Sequence, residues 1–196
     1  MKFNGPKVKL SRRLGVPLTA KSARLMERGH RVSASREDRR LSDYGLQLLE
    51  KQRLRFQYNV SERQMRRYYQ KASGMRGRTG TNLLILLERR LDAFTLRCGF
   101  APTIFAARQL SGHGHFEING KSAKSPSQAL KPGDTVRVRE KSRDKPLFDM
   151  DWNAYAPPTY IERDTEALTA QLVRLPERDE IPVICEEHYV VEFYSR

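Results

Sequence analysis

Two histidines separated by one residue, in the stretch HGHFEINGK from His113 to Lys121, raise the question of chemistry. Imidazoles at that spacing can ligate a metal ion, transfer protons, or contact an anion from a loop. A zinc site needs three or four ligands, and His30 and His188 lie far away in sequence with no cysteine cluster nearby. Acid–base catalysis needs an orienting partner, and the stretch offers only Glu117, which strand alternation turns outward. We therefore expect no metal, no cofactor and no catalytic histidine.

The cysteines and the hydropathy narrow the class of protein further. Cys98 and Cys185 lie far apart in sequence, which supports neither a disulfide framework nor a cysteine-rich zinc site. A hydrophobic fraction of 38% in 196 residues predicts one or two domains with small cores and a highly charged surface. No apolar run is long enough to cross a bilayer, and the start MKFNGPKVKLSRR lacks the apolar region of a signal peptide. We expect a cytoplasmic protein without a membrane-spanning segment.

The formal net charge of +14 is distributed unevenly along the chain. Residues 1–90 carry 23 Lys and Arg against 7 Asp and Glu, a net charge of +16. Residues 91–196 carry 14 against 16, and within them residues 146–196 carry 4 against 11, a net charge of −7. A basic excess of this size suits RNA, DNA or an anionic membrane surface, and composition does not choose among these. Nucleic acid, and not a membrane, is the partner we expect for the basic half.

The first forty residues combine glycines, prolines and scattered basic side chains with few large apolar ones. This composition predicts an extended or locally ordered arm. An arm of this kind either becomes ordered on a binding partner or serves as a solubilising tail, and the sequence leaves both alternatives open.

Two helix starts follow the arm. Ser42 is a suitable N-cap for a helix that runs to about Tyr58, with Lys51, Arg53 and Arg55 on its polar face. Ser61 and Gln64 form a capping box for a second helix. Residues of that helix at intervals of three and four place four cations on one face: Arg63, Arg66, Arg67 and Lys71. Like charges at this spacing repel one another unless an anion lies across them, which favours a phosphate-binding surface over a merely solvated face.

Apolar residues at intervals of three and four predict a third helix that begins at Thr81 and is closed by Gly99. Its buried stripe includes Cys98, which we interpret as a core residue. A shorter helix from Thr103 to Ser111 follows, and its periodicity turns Arg108 outward.

The period of the apolar residues then changes from helical to alternating. Phe116 and Ile118 flank Glu117, and Asn119-Gly120 is a strong hairpin signal. A turn at 132–134 precedes a second alternating run at 135–139. Residues 141–159 give no clear prediction, and the apolar strip at 183–194 packs on a core as either helix or strand.

The middle of the chain contains short motifs in a distinctive order: Arg90-Leu-Asp92, Ala106-Ala-Arg-Gln-Leu110, His113-Gly-His115, Ile118-Asn-Gly-Lys121, Pro126-Ser127 and Pro132-Gly-Asp134. This order resembles the small RNA-binding module named after the fourth protein of the small ribosomal subunit. The flanking motifs are similar to that bacterial-type ribosomal protein family itself: Leu10-Ser-Arg-Arg-Leu-Gly15, Leu41-Ser-Asp-Tyr44, Glu50-Lys-Gln52, Glu62-Arg-Gln64, Pro176-Glu-Arg178 and Val191-Glu-Phe-Tyr-Ser-Arg196. The resemblance covers nearly the whole chain.

The resemblance implies an α+β fold in which an N-terminal helical domain is completed by the C-terminal strip. An RNA-binding module of helices and a small antiparallel sheet is inserted between them. The expected boundaries are 1–40 for the basic arm, 41–88 with 183–196 for the helical domain, and 89–182 for the module, with its core at 90–140 and an acidic extension.

The same resemblance implies a structural role in the small ribosomal subunit. The implied partners are small-subunit ribosomal RNA, bound early in assembly of the subunit body, and neighbouring proteins, especially the fifth of that subunit. Messenger RNA is a further partner, near the path by which it enters. The sequence leaves a bacterial or an organellar ribosome open.

The arm departs from one form of the family. Many relatives hold zinc with four cysteines there, but Val8, Leu10 and their neighbours supply none, so the zinc-free form is expected. Residues 31–40 stand as a shortened counterpart of a Pro-Gly-Gln-His-Gly segment common in relatives.

The charge pattern and the resemblance together give the expected RNA contacts, by phosphate and shape recognition of folded RNA. In the module, the loop with the two histidines lies at the RNA-facing edge; contact with RNA and simple capping of the turn remain equal alternatives for them. The expected contacts are Arg12, Arg13, Lys51, Arg53, Arg55, Arg63, Arg66, Arg67, Lys71, Arg108, His113, His115 and Lys121.

The same module occurs in two other classes of protein. Pseudouridine synthases carry a catalytic aspartate in an Arg-Leu-Asp motif, but Arg90-Leu91-Asp92 lies inside the module's helix, lacks the Ser-Gly that follows in those enzymes, and leaves no catalytic domain. A stress-type protein that rescues stalled large subunits would be shorter and would lack the helical half. We therefore expect no enzyme activity.

Overall fold

The computed structural model describes residues 3, 5–28, 41–148 and 156–196. The chain divides into two compact units, Met1–Leu83 with Pro182–Arg196, and Leu84–Ile181. Part of the predicted arm, including His30 and residues 31–40, lies outside the described residues, as does Trp152. The described part of the arm is mostly helical rather than extended, because Leu10, Leu14 and Leu18 are buried. The described part of the chain forms an α+β fold, as the sequence predicted. None of its helices combines the length and the apolar character that a membrane span requires.

The first unit is helical. Its helices are α1 (Lys7–Leu14), α2 (Ala20–Glu27), α3 (Asp43–Gln57), α4 (Glu62–Ser73), the start of α5 (Thr79–Glu88) and α9 (Glu187–Ser195). The predicted caps are confirmed: Ser42 accepts a hydrogen bond from the amide of Gly45, and Ser61 and Gln64 form the capping box of α4. Local side-chain chemistry thus sets where α3 and α4 begin.

The C-terminal strip, for which helix and strand were both open, forms the helix α9 and completes this unit. Val190 is fully buried, and the side-chain amide of Gln47 on α3 donates to the carboxylate of Glu192 at 2.9 Å. The rings of Tyr44 and Phe193 lie 5.9 Å apart. The predicted completion of the helical unit by the strip is therefore confirmed.

The prediction of one long helix from Thr81 to Gly99 is wrong, because this segment forms two helices, α5 and α6 (Leu91–Arg97). The backbone of Arg90 between them is extended, and Arg90 forms a β-bridge with Ala129. The amide of Leu91 donates to the carbonyl of Gln128 at 2.9 Å. Hydrogen bonds to this distant segment replace those that would have continued the helix. The predicted apolar stripe is nonetheless buried throughout.

The second unit packs α6 and α7 (Ile104–Gly112) against one antiparallel sheet. The strands are β1 (Phe116–Ile118), β2 (Lys121–Ala123), β3 (Thr135–Val138), β4 (Ile161–Asp164) and β5 (Thr169–Leu172), in the order β2-β1-β3-β5-β4. A short helix, α8 (Glu140–Arg143), follows β3. The predicted turn at Asn119-Gly120 is confirmed, with φ of 50° and 75° at the two residues, which is the conformation of a type I′ hairpin.

The acidic extension supplies β4 and β5, which the sequence did not predict. Both strands are four residues long, and their outward positions carry polar side chains. Tyr160, just before β4, is 1% exposed and donates a hydrogen bond to the carboxylate of Glu88 at 3.2 Å. The extension is thus part of the core of this unit.

Candidate nucleic-acid interface

Four cations form one exposed face of α4, which we call the α4 basic face: Arg63, Arg66, Arg67 and Lys71. The opposite side of the helix is buried through Met65 and Ala72, each 0% exposed. Within the described part of the chain, no carboxylate lies within ion-pair distance of these four side chains. Their mutual repulsion is therefore not relieved inside this unit, and an external polyanion would relieve it.

The three cations of α3, Lys51, Arg53 and Arg55, contact other residues of the protein itself. The Lys51 ammonium lies 3.0 Å from the carboxylate of Glu62 and 4.3 Å from the ring centroid of Phe193. The Nε of Arg53 donates to the carbonyl of Leu14 at 2.7 Å, and Arg55 lies 3.7 Å from Glu62. The sequence placed all three on a polar face, which is wrong for Lys51 because residues from α4 and α9 cover it to 5% exposure. Contact of these side chains with RNA remains a prediction.

Glu62 is the carboxylate that organises this cluster. Burial raises its pKa, but hydrogen bonds from Tyr194 and Lys51 outweigh that effect and hold the pKa below the usual glutamate value. The Tyr194 hydroxyl donates to Glu62 at 2.7 Å. Burial and this hydrogen bond raise the pKa of Tyr194, so the phenol stays protonated as a donor.

The two arginines of α1 lie in the last turn of that helix, where a cation complements the exposed carbonyls. Arg13 is exposed and Arg12 is partly buried. Gly15 ends the helix with a φ of 66°, a left-handed conformation that glycine adopts without strain. The structure therefore presents Arg13 more fully than Arg12 to a partner.

In the second unit, Arg108 is held by a buried ion pair. Arg90 and Asp92 are both 0% exposed and form two hydrogen bonds, of 2.9 and 2.6 Å. Arg108 approaches the same carboxylate at 3.3 Å and keeps 29% of its side chain exposed. Burial raises the pKa of Asp92, while the charges of Arg90 and Arg108 oppose that rise. A carboxylate enclosed in this way cannot reach an external substrate, so the Arg-Leu-Asp triplet is structural.

The two histidines have different surroundings. His113 is exposed at the C-cap of α7, where its backbone amide donates to the carbonyl of Gln109. His115 is partly buried, with its Nδ1 2.9 Å from the hydroxyl of Ser142. Lys121, at the start of β2, is exposed. Among the described residues, no three His, Cys, Asp or Glu side chains lie together as a metal site would require.

Basic residues that sequence reasoning did not propose as contacts surround His115. Burial lowers the pKa of this imidazole, and the charges of Lys145, His113, Lys141 and Arg139 lower it further. The excess of cations over carboxylates in residues 131–145 was the available signal for this cluster. An anion bound here would oppose the effect of these positive charges on the pKa of the imidazole.

The exposed cations Arg76 and Arg78, just after α4, were also missed. They lie in a turn between α4 and α5. A turn has no helical or strand period, so residue spacing cannot show that its side chains share a face.

Comparisons with known proteins cover nearly the whole chain. Residues 2–88 match the family described as Ribosomal protein S4/S9 N-terminal domain, and residues 89–136 match the S4 domain. Small ribosomal subunit protein uS4 of Streptomyces avermitilis is 50% identical over 97% of both chains. The proteins of the same name from a Geobacillus strain and from Latilactobacillus sakei are 44% and 43% identical, over 100% of this chain and 99% of theirs.

Proposed function

The chain belongs to the family of small ribosomal subunit protein uS4, and from that premise we propose that it is a primary binder of small-subunit ribosomal RNA that nucleates assembly of the subunit body. Members of this family are RNA-binding components of the ribosome and are not enzymes. The proposal adds early binding and nucleation to this role.

The observation that carries the proposal is the α4 basic face. Four exposed cations lie within three helical turns, with no internal carboxylate to pair with them among the described residues. Phosphates neutralise such a row with release of counterions, which makes binding strong and dependent on salt. Structured RNA is recognised mainly through its shape, its phosphates and its 2′-hydroxyls, for which a rigid helix with fixed cations is suited.

We propose the same contact residues as the sequence indicated, and divide them into primary and secondary contacts by their exposure. The exposed cations Arg13, Arg63, Arg66, Arg67, Lys71 and Lys121 are the primary phosphate contacts. Arg12, Arg53, Arg55 and Arg108 are partly exposed and secondary, and Lys51 acts through the ion pair with Glu62. His113 and His115 contact RNA at the loop between α7 and β1.

The acidic extension supports a proposal about protein partners. Exposed carboxylates on and after β4 include Glu162, Asp164 and Glu166, and residues 156–181 carry 6 Asp and Glu against 3 Lys and Arg. A surface of this sign repels RNA and attracts a basic protein. We propose that it faces a neighbouring small-subunit protein, the fifth being the candidate, in a cytoplasmic ribosome and near the path by which messenger RNA enters.

Competition binding tests the proposed function. Labelled small-subunit ribosomal RNA is bound to the full chain at moderate salt, and an excess of an unrelated structured RNA of equal length is added. A primary binder retains most of its labelled RNA. If the unrelated RNA displaces the ribosomal RNA in proportion to its concentration, the chain is a general polyanion binder and the proposal fails.

A further inference from the structure

We propose that a cleft in the first unit, between α3, α4 and α9, binds one phosphorylated nucleoside. The proposal deepens the RNA-binding function proposed above and rests on it where the nucleotide belongs to RNA; a free nucleotide offers the same chemistry. The cleft has a volume of about 400 Å³. We call it the α9 cleft. The residues that line it are Lys51, Arg55, Glu62, Arg66, Phe193, Tyr194 and Arg196.

The charges of the lining favour a dianion. The side chains of the lining include four cations and one carboxylate. The single carboxylate, Glu62, already accepts from Tyr194 at 2.7 Å and pairs with Lys51 at 3.0 Å. Two guanidinium groups of the lining, those of Arg66 and Arg196, have no carboxylate partner among the described residues. Guanidinium groups bind phosphate through paired, charge-assisted hydrogen bonds.

A third arginine of the cleft has an unused donor. The Nε of Arg55 is buried and has no hydrogen-bond acceptor in the described structure. Its guanidinium packs on the ring of Phe56 at 4.4 Å and lies 3.7 Å from Glu62, which leaves its orientation largely fixed. A buried donor without an acceptor is costly, and a shift of the Arg55 side chain towards a bound oxyanion would supply one.

The size and the aromatic wall of the cleft indicate a ligand larger than phosphate. A phosphate ion occupies roughly the space of two or three water molecules, each about 30 Å³ in the liquid. Phe193 and Tyr194 also line the cleft, with their rings nearly perpendicular and 5.3 Å apart. Lys51 lies over one face of the Phe193 ring and Tyr194 stacks on Tyr69, so a ligand would meet the parts of the two rings that these contacts leave open. An aromatic wall beside guanidinium groups suits a ribose or a base attached to the bound phosphate.

The test is a titration of the isotope-labelled full chain with 5′-AMP, adenosine or inorganic phosphate, followed by NMR. We expect 5′-AMP to bind more tightly than either fragment and to shift the signals of Phe193 and Tyr194. Arg196→Ala and Arg66→Ala should each weaken 5′-AMP binding by about tenfold or more, as the loss of a charge-assisted hydrogen bond implies. Arg24→Ala, on the exposed face of α2, is the matched control and should leave 5′-AMP binding unchanged.

A gain of affinity separates binding from a merely structural role. Glu62→Gln removes the carboxylate that competes with phosphate for the cations of the cleft, so it should strengthen 5′-AMP binding even though it weakens the fold. Equal affinity of the wild type, Arg66→Ala and Arg196→Ala for 5′-AMP would overturn the proposal, as would binding of adenosine as tight as that of 5′-AMP.

Two further experiments identify the source of the nucleotide and separate this proposal from the proposed function. Displacement of 5′-AMP by a short single-stranded RNA assigns the cleft to RNA, and its persistence assigns the cleft to free nucleotides. Loss of specific ribosomal RNA binding with intact 5′-AMP binding contradicts only the proposed function. Intact specific RNA binding with no response of the cleft to 5′-AMP contradicts only this inference.

Discussion

The ammonium of Lys51 on α3 lies 3.0 Å from the carboxylate of Glu62 in the first turn of α4. This ion pair ties the start of the α4 basic face to the helix beside it. Tyr194 of α9 donates to the same carboxylate, so one acidic side chain links three helices. The orientation of the α4 basic face therefore depends on a contact that is itself electrostatic.

Glu62 should make the stability of the chain dependent on pH in the acid range. Its pKa is lower in the folded state, so its charge stabilises the fold above the unfolded pKa of about 4.3. This stability is lost as the pH falls through the folded pKa. Thermal unfolding of the wild type and Glu62→Gln between pH 3 and pH 7 measures it. The two melting temperatures should converge at low pH, and a constant difference would contradict this origin.

Lys51 and Lys71 were both predicted to contact RNA, but substitutions of them should have different effects on stability and RNA binding. Lys51→Met leaves Glu62 without its nearest cation and should lower the free energy of unfolding by about 1–3 kcal/mol. Lys71→Met, on the exposed α4 basic face, should leave stability unchanged and reduce the salt dependence of RNA binding by about 0.7–0.9 in log–log slope. Urea denaturation and RNA binding at several salt concentrations provide both readouts. Interchanged phenotypes would refute the assignment of the two residues.

The buried ion pair of the second unit should be essential for its stability. Asp92→Asn removes the carboxylate that pairs with the buried guanidinium of Arg90, which should cost about 3–5 kcal/mol. Arg108→Gln removes the partly exposed outer partner and should cost about 1 kcal/mol or less. Urea denaturation of the full chain compares the two variants. Equal losses of stability would show that the burial of Arg90 does not set the cost.

His115 should couple RNA binding to pH. Burial and the neighbouring cations lower its pKa in the free protein, and a bound phosphate would raise that pKa. RNA binding then takes up a proton, so affinity should rise as the pH falls from 8 to 6. His115→Asn, which retains a side chain able to reach Ser142, should reduce this dependence. The comparison requires dissociation constants across that range, and identical pH profiles would exclude His115 as the coupled group.

Local signals in the sequence account for much of the fold. The cap at Ser42, the capping box of Ser61 with Gln64 and the hairpin at Asn119-Gly120 each depend on residues within four positions of one another. Their energies are set by the local backbone, so a single sequence predicts them. The α4 basic face belongs to the same class, because helical spacing alone places its side chains together.

Features that depend on distant partners were missed. Arg90 interrupts a helix because the backbone on either side of it forms hydrogen bonds with residues 126–130, which no local pattern reveals. Lys51 is buried by residues of α4 and α9, so helical period on α3 could not show it. The strands β4 and β5 are short and polar on their outer positions, and they form by pairing with β3 rather than by their own propensity. The α9 cleft combines residues from three helices for the same reason.

Charge reversal on the α4 basic face tests directly whether this face binds the phosphates of ribosomal RNA. The variant Arg63→Glu/Arg67→Glu is compared with Lys21→Glu/Arg24→Glu, which makes the same change in net charge on the exposed side of α2. Affinity for small-subunit ribosomal RNA is measured at several salt concentrations. We expect a large loss of affinity for the α4 variant alone, with the salt slope reduced by about 0.7–0.9 for each lost contact. Equal slopes and affinities for the two variants would mean that the α4 basic face is only a solvated surface.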